Sequence, residues 1–172
     1  LAGKRARLDV PPHVLEDAAE WFRGRTGNDG RIGYNGLGAG NDALLGVGVA
    51  CRTLLGDDPA TGRLARVVAR LTGCLPAWPR NPAENRSFCA EDPMHWYYGS
   101  LGAYQAGGAA WTAWEPRLRD LLLGHQRRDG CAAGSFDPAG ATGIHGGRVV
   151  TTALAALSLE VAYRYPRASF AR

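Results

Sequence analysis

One corner is written twice in this chain. Residues 25–34 read RTGNDGRIGY and residues 126–138 read QRRDGCAAGSFDP. Each follows an amphipathic segment, centres on Asp-Gly (Asp29-Gly30 and Asp129-Gly130) and precedes a run rich in Ala, Leu and Val. A unit that cannot cover its own apolar face is stacked beside its neighbours until that face is covered. The recurrence therefore predicts paired helices laid side by side, with negligible β-strand.

Helical spacing supports this along most of the chain. After Pro11-Pro12, residues Val14, Leu15, Ala18, Ala19 and Phe22 form one stripe, with acids on the opposite face. Between Gly24 and Gly40 lie seven glycines, too many for a helix. The next run, ALLGVGVACRTLL (43–55), is apolar nearly all round, as a buried helix is. Following Pro59, residues Leu64, Val67, Val68, Leu71 and Leu75 repeat on one face, with Arg63, Arg66 and Arg70 opposite. Asp92-Pro93 supplies an N-cap and first-turn pair before MHWYYGSLGAYQAGG. Trp111, Trp114, Leu118, Leu121 and Leu122 make a further one-sided stripe. The last helix, TTALAALSLEVAY (151–163), is opened by Gly146-Gly147 and closed by Pro166.

The expected fold is thus all-α, about six helices in three copies of one unit: an amphipathic helix, a Gly-rich corner, then a more hydrophobic helix. Residues 1–12 read as an N-terminal arm and 13–168 as one repeat domain. A chain of 172 residues can bury a real core. It opens on Leu1 rather than Met, which reads as a processed product or a piece of something longer. No uncharged apolar run reaches the roughly 18 residues that a membrane-spanning helix needs.

The formal charge is +4, and Lys4 is the only lysine among 20 basic residues. These are scattered over amphipathic faces rather than gathered in a groove with interleaved aromatics, which argues against nucleic acid as a partner. Four cysteines occur, and none forms a Cys-x-x-Cys pair that would indicate a zinc ribbon. Cys74 and Cys89 bracket the Pro- and Asn-rich loop CLPAWPRNPAENRSFC. A disulfide there would close a loop of about 15 residues, contribute roughly 3 kcal/mol and imply an oxidising, extracytoplasmic compartment. The alternative is two unpaired thiols, which leaves the compartment unassigned.

The stretches LLLGHQRRDGCAAGSFDP, GGRVVTTALAALSLEVAYRYP and MHWYYGSLGAYQAGG resemble bacterial proteins with prenyltransferase and squalene oxidase repeats, of the squalene-hopene cyclase superfamily. Gln126 through Gly134-Ser135-Phe136 is similar to that superfamily's Gln-Trp repeat, with Phe136 where Trp is usual. The resemblance covers roughly residues 13–166 and implies an α/α toroid of concentric helix rings, of which six helices make half a ring or an open arc.

Family chemistry is only partly retained. The cyclases protonate an alkene with an Asp-x-Asp-Asp-Thr motif at the start of an inner helix. The corresponding starts here, AGNDALLG and RVVTTALA, keep Asp42 alone. An isolated carboxyl near its ordinary pKa of about 4 cannot protonate an alkene, so cyclase catalysis is not expected. The family's prenyltransferases hold zinc through Asp-x-Cys and a later His; Asp129-Gly130-Cys131 matches the triplet, with His145 the nearest following histidine. The competing reading makes Asp129-Gly130 a turn and Cys131 a loop filler, so no metal or cofactor is expected.

If the hydrophobic helices all begin at one end, then Asp42, Asp92, His95, His145 and Arg148 gather at one rim. Helix N-termini favour anions, and Arg148 adds to that. The same carboxylates also have ready work as N-caps. Trp96, Tyr97, Tyr98 and Tyr104 either line a lumen or pack helix on helix, while Trp111 and Trp114 belong to the core. Two functions follow. The first is a non-catalytic module that contacts other protein subunits of a larger assembly. The second is a pocket for an isoprenoid or other hydrophobic small molecule, or half an enzyme completed elsewhere.

Overall fold

The computed structural model describes residues 6–37, 40, 42–81 and 88–168. Residues 1–5 of the arm and the middle of the Cys-bracketed loop lie outside those described. Among the described residues six α-helices follow in order: α1 (Pro12–Gly24), α2 (Ala43–Leu54), α3 (Gly62–Thr72), α4 (Pro93–Ala106), α5 (Gly108–His125) and α6 (Gly140–Arg164). A 3-10 turn, Gly130–Ala132, sits in the second Asp-Gly corner. Among the described residues the only β pairing is one bridge, Thr26 to Ile32. The chain is all-α, as its periodicity indicates.

Helix α2 packs on α4 and α4 on α6, so the three hydrophobic helices form one row. Helix α3 lies against α2, α4 and α5, and α5 against α4 and α6, whereas α1 touches α2 alone among the helices. Leu45, Val49, Leu64, Val67, Leu71, Trp96, Trp114, Leu118 and Leu122 meet in one core. Its α3 and α5 members come from the stripes read there, its α2 members from the run that is apolar nearly all round, and Trp96 comes from α4. Val14 departs from its stripe and is 46% exposed, because α1 stands at the end of the array with one neighbour instead of two.

The α2–α4 crossing depends on missing side chains. A Cβ on Gly102 would lie 2.7 Å from the Gly46 carbonyl oxygen, closer than atoms pack. Glycine does different work in α6. At Gly147 the backbone turns to φ 66°, ψ −166°, a region essentially reserved for glycine. A short turn from Gly140 joins the main helix there, so the uninterrupted segment begins at Arg148. Gly107, between α4 and α5, adopts nearly the same angles, φ 69° and ψ −159°.

Both Asp-Gly corners place their glycine at positive φ, Gly30 at 82° and Gly130 at 65°. In each, an arginine carbonyl accepts the returning strand: Gly33 N–H donates to Arg25 O at 2.9 Å, and Gly134 N–H to Arg127 O at 2.8 Å. The second connection, after α3, is held by aromatic stacking. Trp78 lies between Trp96 (centroids 5.4 Å) and His125 (4.3 Å, 12° between planes).

Candidate functional site

His95, near the start of α4, is fully buried. Its Nε2 lies 2.8 Å from the Cys74 carbonyl and its Nδ1 lies 3.3 Å from the Asp42 carbonyl. The shorter contact assigns the proton to Nε2. Burial pushes the imidazole below its ordinary pKa of 6.5, against the opposing pull of the two carbonyls and of Asp42 and Asp92. With its two nitrogens against these backbone carbonyls, the ring is a strut joining α4 to the residue before α2 and to the turn after α3.

Asp92 is also fully buried and does more than cap. Its Oδ1 accepts the Met94 N–H at 2.9 Å, with Pro93 at the first helical position. The carboxylate also accepts the Thr142 N–H at 2.8 Å and the Thr142 hydroxyl at 2.8 Å. It therefore ties the start of α4 to the start of α6. Gly140, at φ 60°, gives it room, since a Cβ there would meet Asp92 at 2.7 Å.

Asp42 makes no side-chain cap. Its backbone is already helical (φ −68°, ψ −16°), whereas a capping side chain reaches its target from an extended backbone. The carboxylate instead lies 3.3 Å from Arg70 Nε. His145 is exposed and its Nδ1 bonds back to the Ala141 carbonyl at 2.6 Å. Arg148 pairs with Asp137 and donates to the Ser135 hydroxyl at 3.1 Å. The structure thus brings Asp42 and His95 together, places Asp92 on Thr142, and commits Arg148 to Asp137.

The zinc alternative does not assemble. Asp129 faces Arg127 at 3.4 Å, Cys131 is exposed on the 3-10 turn, and His145 is turned to Ala141. Among the described residues no group of three His, Cys, Asp or Glu is disposed to hold a metal ion. Cys74 and Cys89 are both part-buried. The loop they bracket is held by two bonds to one oxygen: Ala77 N–H donates to Ala90 O at 2.9 Å, and Trp96 Nε1–H to the same oxygen at 2.8 Å. Burial raises the Cys74 thiol pKa above its ordinary value.

Two features escaped the sequence reading. Asp57 is shared by Arg23 (2.6 Å) and Arg52 (2.7 Å), pinning α1 to the end of α2. Burial pushes the Asp57 carboxyl up, but the hydrogen bonds from Arg23 and Arg52 outweigh it and hold the pKa below its ordinary value. A lone arginine inside ALLGVGVACRTLL was the available signal, because a buried guanidinium demands a carboxylate. The other feature is a groove of about 330 Å³ beside α2 and α4, lined by Tyr34, Leu44, Val47, Phe88, Met94 and Tyr98. Tyr34 (68% exposed) and Phe88 (42% exposed) form its lips, and none of its lining residues is charged.

No protein-family model, curated protein or solved structure matches the chain. Chemically, the rim residues are engaged as struts, caps and ion pairs, and the buried ones, Asp92 and His95, present no surface to a ligand. Apolar surface open to other molecules includes the groove and large side chains on the two end helices. Val149 is 79% exposed and Tyr163 93% on α6, and Trp21 is 49% exposed on α1. Among the described residues, no helix is long and apolar enough to cross a membrane.

Proposed function

We propose that this chain is a helical-repeat module of the prenyltransferase and squalene oxidase repeat type, an arc of paired helices that works by contacting other protein surfaces. In this reading α2, α4 and α6 are the inner layer of a half toroid and α1, α3 and α5 the outer layer. The exposed apolar face of α6 carries the functional reading. Large apolar side chains on a terminal helix, at the edge of a row of helices packed side by side, are a surface suited to burial by another protein. Placing a photoactivatable phenylalanine analogue at Tyr163 in cells tests this. Specific protein adducts at Tyr163, absent when the probe sits at exposed Arg128, support the module; the absence of any protein adduct at Tyr163 overturns it.

The groove favours a second reading, a pocket for an uncharged hydrophobic small molecule. Its volume lies at the small end of ligand-binding cavities, and aromatic lips over an apolar floor suit a neutral chain. Native mass spectrometry of the purified protein separates the readings. A bound hydrophobic mass that disappears in Leu44→Gln supports the pocket, and a bare protein mass argues against it.

A further inference from the structure

The two ends of the helix array are complementary to each other. On α6 the exposed positions Val149, Ala153, Ala156, Glu160 and Tyr163 follow one another at steps of four, three, four and three residues. This is the spacing of a coiled-coil seam. On α1, at the opposite end, the exposed positions Val14, Asp17 and Trp21 step by three and four. One seam has small residues at its centre, Ala153 and Ala156; the other offers a bulky knob, Trp21, whose ring is steadied edge-on by Phe22 at 5.0 Å and lies under Arg25.

Charge differs between the ends in the same complementary way. The α1 end carries three exposed carboxylates, Glu16, Asp17 and Glu20, against two guanidiniums, Arg23, already bound to Asp57, and Arg25, which lies over Trp21. From Arg148 onward, the described part of the α6 end carries three guanidiniums, Arg148, Arg164 and Arg167, against one carboxylate, Glu160. Arg148 is held by Asp137 and Arg164 by Glu160, so the positive excess of the α6 end is Arg167, which lies over the Tyr104 ring, while the α1 end is net negative. Opposed fields of this kind steer encounter and fix orientation more than they add affinity. Like ends repel, and unlike ends attract.

We infer that the occupant of the α6 face is the α1 face of a second copy of this chain, giving head-to-tail association. The inference rests on the reading of the chain as a protein-contact module and names its partner. A heterologous contact of this type leaves one α1 face and one α6 face unfilled in every dimer, so assemblies grow into rings or chains rather than stopping at two.

Sedimentation of the purified chain over a rising concentration series tests this. The expected result is a mass increasing through dimer and larger species, weakened at high salt because screening cuts the end-to-end attraction. Val149→Asp with Tyr163→Asp, and separately Trp21→Asp, should each weaken association at least about tenfold, as loss of a central contact does. These positions are exposed, so the helical circular dichroism serves as the check on folding. Mixing the two variants is the decisive arm. Each keeps one intact face, so the mixture should form a one-to-one dimer that neither variant forms alone. A wild-type chain monomeric throughout overturns the inference, as does a Trp21→Asp variant that still self-associates. Monomeric sedimentation combined with protein adducts at Tyr163 would refute the self-partner and leave the module reading standing; no adducts at all would refute both.

Discussion

The carboxylate of Asp92 accepts both the backbone N–H and the side-chain hydroxyl of Thr142, fifty residues away, while still capping its own helix through Met94. One side chain thereby sets the start of α4 against the start of α6. This fixes the relative height of two helices in the row and, through it, where the exposed seam of α6 falls.

Removing that carboxylate is correspondingly costly. Asp92→Ala strips the cap and leaves the Thr142 N–H without its acceptor in a part-buried position. Loss of a cap costs about 1 kcal/mol and a stranded buried donor about 1–3 kcal/mol more. Urea unfolding should show a loss of about 3 kcal/mol. Thr142→Val, which removes only the hydroxyl, should lose about 1 kcal/mol, and the double variant should lose less than the two together. Strict additivity would show that the two residues do not act as a unit.

The pH dependence of stability follows from His95. Burial holds its pKa in the folded chain below the ordinary 6.5, so the unfolded chain binds the proton more readily. Stability is therefore complete above pH 6.5 and is lost as pH falls from there toward the folded value, with a slope of at most about 1.4 kcal/mol per pH unit. Urea midpoints compared at about pH 7.5 and about pH 5 read this out. His95→Gln keeps a donor for the Cys74 carbonyl and should flatten the difference over that range. An unchanged slope in the variant would assign the effect to another histidine.

How much of this could be read from the chain depends on how local each cause is. Asp92-Pro93, Gly147 and Pro166 act on the residues beside them, and the starts and stops they announce are where the helices begin, bend and end. The stripes of α3 and α5 bury as spaced, because both helices have neighbours on that side. Val14 does not, since nothing in the α1 stripe says that α1 has only one partner. Asp42 and Asp92 looked alike as capping residues; only the backbone angle at Asp42, helical rather than extended, turns its carboxylate to Arg70. The Thr142 contact, the Trp78 stack and the Asp57 pair join segments distant in sequence, and a single sequence carries no record of such pairings.

Gly147 offers a test of backbone strain alone. A Cβ at this position meets nothing within 4 Å, so Gly147→Ala adds no clash. What it adds is a non-glycine residue at φ 66°, ψ −166°, a conformation costing about 1–3 kcal/mol. The melting temperature should fall accordingly. A D-alanine introduced there by semisynthesis, whose preferred φ is positive, should restore most of the loss.

The buried relay through Ser100 makes the sharpest packing prediction. Trp114 Nε1–H donates to Ser100 Oγ at 2.9 Å, and that hydroxyl donates to the Trp96 carbonyl at 2.6 Å, all three residues being fully buried. Ser100→Ala removes the acceptor while the indole N–H stays in place with no water to turn to, a loss of about 1–3 kcal/mol for one oxygen atom. Trp114→Phe removes the donor and some apolar volume. In that background the serine-to-alanine change strands no donor, and its cost should drop to well under 1 kcal/mol, because deleting both partners of a buried bond is far cheaper than deleting one. The double-mutant cycle, read by urea unfolding, isolates the bond from the packing change. A serine deletion equally costly with and without Trp114 would mean that the hydroxyl matters to helix α4 alone and that the indole finds its partner elsewhere.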